Sequence, residues 1–260
     1  MAYLWAALAA FTVVFIIAGD NIFSVTSYNI RSRKVKEKSR FMLISDVHSK
    51  RIAKRISVIM KKYKPDAVII AGDLWDRKKG HIKEGISFVS DIARQVPVVY
   101  TPGNHDYTFL NRERMLKALE DVGAYVLRAD AVRLSGIEVI GLDRLGYANF
   151  ADSVLGGVSA GFRLMVTHFP QYFHDEYSCY DVDLVLCGHA HGGQFRIPFM
   201  NRGLYSPGQG IFPKYSEGLH EHRGTKLIVS RGIGNSNRFP FRLFNPPEAV
   251  IIDIVPEDAK

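Results

Sequence analysis

The sequence predicts an α/β fold in which two β-sheets pack face to face as a sandwich flanked by helices, preceded by an apolar N-terminal membrane helix. Three observations carry this expectation. Residues 1–19 hold no charged side chain; amphipathic helical patterns then alternate with short apolar runs up to Val122; and from Tyr125 onward the pattern is of strands and turns.

The elements follow in order. Residues 2–18, as a helix at about 1.5 Å per residue, span roughly 26 Å, close to the thickness of a bilayer's hydrocarbon core. Residues 1–20 therefore read as a membrane anchor. A cleaved signal peptide is the rival, but no Lys or Arg precedes the apolar run and no small-x-small site follows it. Arg31, Arg33, Lys34, Lys36, Lys38 and Arg40 come next. By the positive-inside rule they place the rest of the chain on the cytoplasmic side of the cell membrane; alternatively they are the solvated face of a first strand over 25–33. Residues 21–40 thus form a basic juxtamembrane segment with that strand, and 41–260 the main domain.

Within the main domain, Ile52, Ile56, Ile59 and Met60 share one helical face opposite Lys and Arg. Ile82, Ile86, Val89 and Ile92 repeat the spacing, as do Met115, Leu116, Leu119 and Val122. Strands are expected at 132–134, 137–142, 162–166, 182–187, 227–229 and 249–255.

Composition bounds the function. A chain of 260 residues that is 47% apolar and 23% charged can bury a sizeable core, which excludes disorder for most of it. A net charge of +8 suits an anionic partner: a phosphorylated substrate, acidic lipid head groups or nucleic acid. Of the two cysteines, Cys187 lies in an apolar run and reads as a buried strand residue rather than half of a disulfide with Cys179.

Five apolar runs each end in metal-ligand residue types. Run 41–44 leads into Asp46 and His48, 67–70 into Asp73 and Asp76, and 96–100 into Asn104, His105 and Asp106. Run 163–166 leads into His168, and 182–187 into His189 and His191. Carboxyl ends of strands in open α/β sheets converge on one crevice, so these residues can meet. A mixed oxygen and nitrogen set without thiolate suits two divalent first-row ions, with Mn the leading candidate and Fe or Zn alternatives. A carboxylate such as Asp73 has two oxygens and can bridge such a pair.

The blocks Asp46-Val-His48, Gly72-Asp73-Leu-Trp-Asp76, Gly103-Asn104-His105-Asp106, His168 and Gly188-His189-Ala-His191 resemble those of the calcineurin-like metallophosphoesterases. The resemblance runs from about Phe41 to the C-terminus, and no position of the metal set departs from the pattern. Gly188 to Gln194, Ser230-Arg231-Gly232 and Asn245-Pro246-Pro247-Glu248 further resemble a bacterial membrane-associated branch containing lipid-nucleotide pyrophosphatases of the UDP-diacylglucosamine type. The resemblance implies hydrolysis of a phosphodiester or pyrophosphate bond. One ion would rest on Asp46, His48, Asp73 and His191, the other on Asp73, Asn104, His168 and His189. His105 would protonate the leaving oxygen or stabilise the transferring phosphoryl group, Asp106 would orient His105, and Asp76 would support a ligand.

Other readings stand beside this one. A general nucleotide phosphodiesterase or nuclease would use the same metals, although nucleic acid is disfavoured because much of the positive charge follows the anchor. A scaffold that has lost catalysis would show missing ligands, and none is missing. Arg231, Arg238 and Arg242 either grip a second phosphate or belong to a solvated loop. His81, His174, His220 and His222 lack a strand-end context and read as surface residues. Finally, Phe195, Ile197, Phe199, Met200, Leu204, Tyr205, Ile211, Phe212 and Tyr215 are interspersed with Arg196, Arg202 and Lys214. That mixture suits an amphiphilic substrate at a membrane surface, with about half of the apolar side chains filling the core instead.

Overall fold

The computed structural model describes residues 1–76, 81–143, 159–197, 202–235 and 241–257. In chain order the helices are α1 (Ala2–Asn21), α2 (Ala53–Tyr63), α3 (Ile82–Ala93) and α4 (Arg112–Asp121). The first sheet holds β1 (Ser24–Ser32), β2 (Ser39–Ile44), β3 (Ala67–Ala71), β4 (Val98–Thr101), β5 (Ala124–Val126) and β16 (Glu248–Pro256). The second holds β6 (Ala129–Leu134), β7 (Ile137–Leu142), β8 (Arg163–Val166), β9 (Leu184–Cys187), β14 (Gly218–His222) and β15 (Thr225–Val229). Four two-residue strands make two small hairpins between the sheets' contributions: β10 (Arg196–Ile197) with β11 (Arg202–Gly203), and β12 (Tyr205–Ser206) with β13 (Gly210–Ile211).

Strand alternation builds the sandwich. Met42 and Ile44 of β2 point toward the helices, packing with Ile56, Met60, Val89 and Leu116, whereas Phe41 and Leu43 face the second sheet, meeting Leu164, Leu186 and Ile228. The run over β3 is buried on both faces, as a central parallel strand requires. α2 ends at Lys64, whose left-handed conformation turns its N–H onto Met60 O at 2.8 Å just before Pro65.

The first sheet runs β1-β16-β2-β3-β4-β5 and the second β14-β15-β9-β8-β7-β6. β2, β3 and β4 are parallel neighbours, as are β8 and β9, so all five metal-type blocks leave their strands at carboxyl ends.

The flanking by helices holds on one side of the sandwich, and two further expectations need correction. Among the described residues helices cover only the first sheet; the second sheet's outer face is covered by Phe173, Tyr177 and Tyr215, which lie in connecting segments and short turns. Among the described residues no helix is long and apolar enough to cross a membrane. α1 instead touches the main domain, its Phe15 ring standing edge-on to Phe244 at 5.1 Å. The basic stretch is also part of the domain: Arg33 pairs with Glu257, Lys34 with Asp183, and Lys38 and Arg40 with Asp253. Internal carboxylates, rather than lipid phosphates, answer those charges.

Candidate metal centre

The loops after β2 and β3 run side by side. Asp46 N–H donates to Gly72 O at 3.0 Å, His48 N–H to Asp73 O at 3.1 Å and Ser49 N–H to Leu74 O at 3.0 Å. These contacts hold Asp46, His48 and Asp73 at φ of 51°, 48° and 53°, and His189 and His191 adopt 66° and 49°. Left-handed backbone costs a non-glycine residue roughly 1–3 kcal/mol when sparsely favoured, and it persists where surrounding contacts over-determine it. Five chelating side chains in this region mean the chain accepts strain to aim them inward. Close packing accompanies it: a Cβ on Gly103 would stand 2.2 Å from Asp73 Oδ1, so only glycine lets the two loops meet.

Two foci result. At the first, His48 Nε2 and His191 Nε2 are 3.3 Å apart, His191 Nε2 is 3.5 Å from Asp46 Oδ1, and His48 Nε2 is 3.8 Å from Asp73 Oδ2. At the second, His168 Nε2 stands 3.3 Å from Asp73 Oδ2 and 3.2 Å from His189 Nδ1. Asp73 Oδ2 therefore faces both. Asp46, His48 and His191 form one potential cation cluster, and Asp46, Asp73 and His168 another. Asn104 Oδ1 is buried without a hydrogen-bond partner among the described residues, as expected of an oxygen meant for a cation. The donor chemistry fits divalent first-row ions, since the set is carboxylate, amide and imidazole. Both thiols are free; Cys187 is buried in the core of the second sheet and Cys179 is exposed.

The surroundings fix the ligands. His168 Nδ1 donates to Ala71 O at 2.8 Å, which turns Nε2 to the centre. Asp106 is buried and accepts the N–H of Asp73 at 2.8 Å and of Gly103 at 2.7 Å, so its carboxylate organises the Asp73 loop. Asp76 is buried close enough to His48 to favour its charged form. His105 donates its backbone N–H to Asp73 Oδ1 at 2.8 Å, and its ring lies edge-on to His48 at 4.7 Å. Its side chain is 22% exposed, whereas those of His48 and His168 are at 0%, so His105 is the one of these three that a substrate can reach.

Burial dominates the electrostatics of this protein without metal. It pushes His48 down to about 4 and His189 to about 3, and, with His48 and Arg242 nearby, His191 well below its usual range. These imidazoles are neutral and ready to ligate. Burial raises Asp46 to about 6, with Asp73 adding to the rise. Burial also works against ionisation of Asp73, but the charge and hydrogen bond of His168, with His48 and His105, hold it well below the carboxylate range. His168 itself, despite burial, rises to about 9 through Asp73 and Asp46. An imidazolium thus supplies the positive charge that two buried carboxylates require.

Beyond the expected set, the structure adds Gly234, whose N–H donates to Asp46 O at 2.5 Å and where a Cβ would stand 2.7 Å from His48 Cβ. Its only sequence signal is the run Ser230 to Asn235 following β15, the same strand-end rule that located the others. The arginines are not placed as free phosphate grips. Arg231 bonds Glu248 and Ser24, Arg242 is 1% exposed and donates to backbone carbonyls, and Arg238 lies outside the described residues, as do Phe199 and Met200. His81, His174 and His220 lie away from the centre on Glu84, Asp175 and Glu217 O, and His222 stacks on His174.

A family model described as calcineurin-like phosphoesterase matches residues 39–193. An uncharacterized metallophosphoesterase of Aquifex aeolicus is 29% identical over 248 residues, covering 88% of this chain and 91% of that one. One of Helicobacter pylori is 26% identical over 86% of this chain, which spans only 62% of the relative's length. A transmembrane protein with a metallophosphoesterase domain from Danio rerio is 25% identical over 60% of this chain and 40% of its own. Among solved structures, one crystal structure superposes with a TM-score of 0.51 at 12% identity, covering 74% of this chain and 90% of its own, a likeness of fold alone.

Proposed function

Because the chain belongs to the calcineurin-like phosphoesterase family and is a metal-dependent phosphoesterase, we propose that it hydrolyses a phosphodiester or pyrophosphate bond at a dinuclear centre bridged by Asp73. The observation that carries this is Asp73 Oδ2, which stands 3.8 Å from His48 Nε2 and 3.3 Å from His168 Nε2. Asp46, His48, Asp73 and His191 would hold one ion, and Asp73, Asn104, His168 and His189 the other. When bound, two divalent ions neutralise the phosphoryl oxygens and draw the nucleophile from water.

The chain's own groups complete the chemistry. His105, at the accessible lip of the centre with Nε2 3.9 Å from Asp73 Oδ2, holds the proton that the leaving oxygen takes up. Asp106 acts through Asp73 as a positioning residue. His168 releases its proton when a cation replaces its charge.

For the substrate, an amphiphile is the better match, and a nucleotide-linked lipid is its chemical class. Ile211 and Phe212 are 70% and 51% exposed, and Leu204, Phe241 and Phe244 are also exposed. Leu204 N–H donates to Gly193 O at 3.0 Å, two residues from His191, so the apolar rim starts at the centre's edge. Arg202 and Lys214 flank it. Arg33, Lys34, Lys38 and Arg40 are each paired with a carboxylate of the chain itself, which leaves less unanswered positive charge for nucleic acid. The test is hydrolysis by chelator-stripped protein reloaded with Mn, Fe or Zn, against nucleotides, nucleotide-linked lipids, phospholipids and oligonucleotides. Turnover of oligonucleotides alone would overturn the substrate class, and metal-independent turnover would overturn the mechanism.

A further inference from the structure

The C-terminal segment beginning at Phe241 reaches the metal centre from behind. Arg242 is 1% exposed; its Nη1 donates to Arg231 O at 2.9 Å and its Nε to Gly234 O at 3.2 Å. Its Nη2, also bonded to Gly234 O, stands 3.4 Å from His191 Nδ1. Asn245 is fully buried, and its Nδ2 donates to His191 O at 2.7 Å and Gln194 O at 3.0 Å. A Cβ on Gly192 would stand 2.3 Å from Asn245 Oδ1, so the amide is seated directly on the His191 turn. Gly234, gripped by Arg242, is the residue that backs Asp46 and His48.

Between these two residues, Phe244 adopts φ 54°, an unfavourable conformation for a bulky side chain. It sends the Phe244 ring outward to Phe15 and lets Asn245 turn inward. The segments held in this way, 191–194 and 231–234, supply or back Asp46, His48 and His191, whereas His189, two residues earlier, is held separately by its N–H on the Asp46 carboxylate at 3.1 Å. The other focus has different supports: Ala71 O fixes His168, and Asp106 fixes the Asp73 and Gly103 backbone before Asn104.

We infer that Arg242 and Asn245 are positioning residues that set the Asp46, His48 and His191 half of the centre and leave the Asn104, His168 and His189 half to its own supports. The inference rests on the dinuclear reading. Arg242 stops the His191 ring from turning away, and Asn245 fixes the carbonyls of the turn that carries it. Loss of an outer partner of a ligand typically weakens metal binding about 10–100-fold. Here that loss falls on one ion of the pair.

The experiment is Mn(II) titration of chelator-stripped full-length protein, read by equilibrium dialysis and by electron paramagnetic resonance, for wild type, Arg242→Met, Arg242→Lys and Asn245→Ala. Wild type takes up two ions and shows a coupled spectrum. In Arg242→Met and Asn245→Ala one ion binds as in wild type, the other binds about 10–100-fold more weakly, and at low Mn(II) the spectrum is that of an isolated ion. Arg242→Lys recovers part of the loss. Circular dichroism of the metal-free variants checks the fold; if Arg242→Met does not fold, Asn245→Ala, which keeps the guanidinium, decides. Two ions bound with wild-type affinity, or both weakened equally in a folded variant, overturn the clamp while leaving the dinuclear reading intact. A wild-type chain that takes up a single ion overturns both.

Discussion

Asp106 accepts the backbone N–H of Asp73 at 2.8 Å, so the residue that opens the short helical turn at the end of the third block holds the backbone that carries the carboxylate of the second, the one proposed to bridge the ions. Burial and the Asp73 charge raise Asp106 to about 6, which leaves it ionised at neutral pH. Asp106→Ala should cost about 1.5–3 kcal/mol for each charged hydrogen bond lost and should weaken both ions. Thermal melts with and without metal, and metal content after gel filtration, check this. A variant with wild-type stability and metal load would remove the positioning role.

His168 makes metal uptake pH-dependent. Its folded value of about 9 lies above the ordinary 6.5, so the metal-free fold has the full benefit of this group below pH 6.5 and loses it as pH rises through 9. A cation that takes its place must displace the proton. Mn(II) affinity should therefore rise between pH 6.5 and 9, approaching about tenfold per unit from this group alone, and calorimetry in buffers of differing ionisation enthalpy should show proton release near pH 7. His168→Asn should flatten that part of the profile, and a profile it leaves unchanged would contradict the assignment.

Legibility in the sequence followed the strand rule. Asp46, Asp73, Asn104, His168 and His189 were readable because apolar runs mark strands and carboxyl ends converge. Asp106 was visible as a residue, but its hold on the backbone of a loop 33 residues away was not. Gly234 and Arg242 act through carbonyls and close approach, which leave no pattern in charge or hydropathy. The basic stretch misled for a related reason: Lys38 and Arg40 meet Asp253 only because β16 inserts between β1 and β2, a pairing of chain ends that periodicity does not encode. Helices were expected to flank the sandwich, and α2, α3 and α4 do so on the first sheet; connecting segments cover the second, where Phe173, Tyr177 and Tyr215 supply the apolar surface.

His105 should separate chemistry from metal binding. His105→Ala should keep its metal and lose about 10²–10⁴ in kcat, with the greater loss for poor leaving groups. A nitrophenolate ester, whose leaving oxygen needs little protonation, supplies the comparison. Equal losses for both substrates would argue against proton donation.

The exposed rim makes a prediction about substrate. Burying acyl chain yields about 0.8 kcal/mol per CH₂, so an acylated substrate should have a much lower KM than its deacylated analogue. Phe212→Ser and Ile211→Ser should narrow that gap while leaving turnover of the deacylated analogue unchanged. Equal kcat/KM for both substrates in wild type would leave a nucleotide phosphodiesterase without lipid preference.

The most direct measurement of the central claim is the metal content of Asp73→Asn by elemental analysis, set beside Asp46→Asn. Asp73 faces both foci, and an amide offers one good donor oxygen where a carboxylate offers two. Asp73→Asn should therefore lose most of both ions, whereas Asp46→Asn should retain the ion at the Asn104, His168 and His189 focus. A folded Asp73→Asn protein that still carries close to two ions per chain would contradict a centre bridged by this residue.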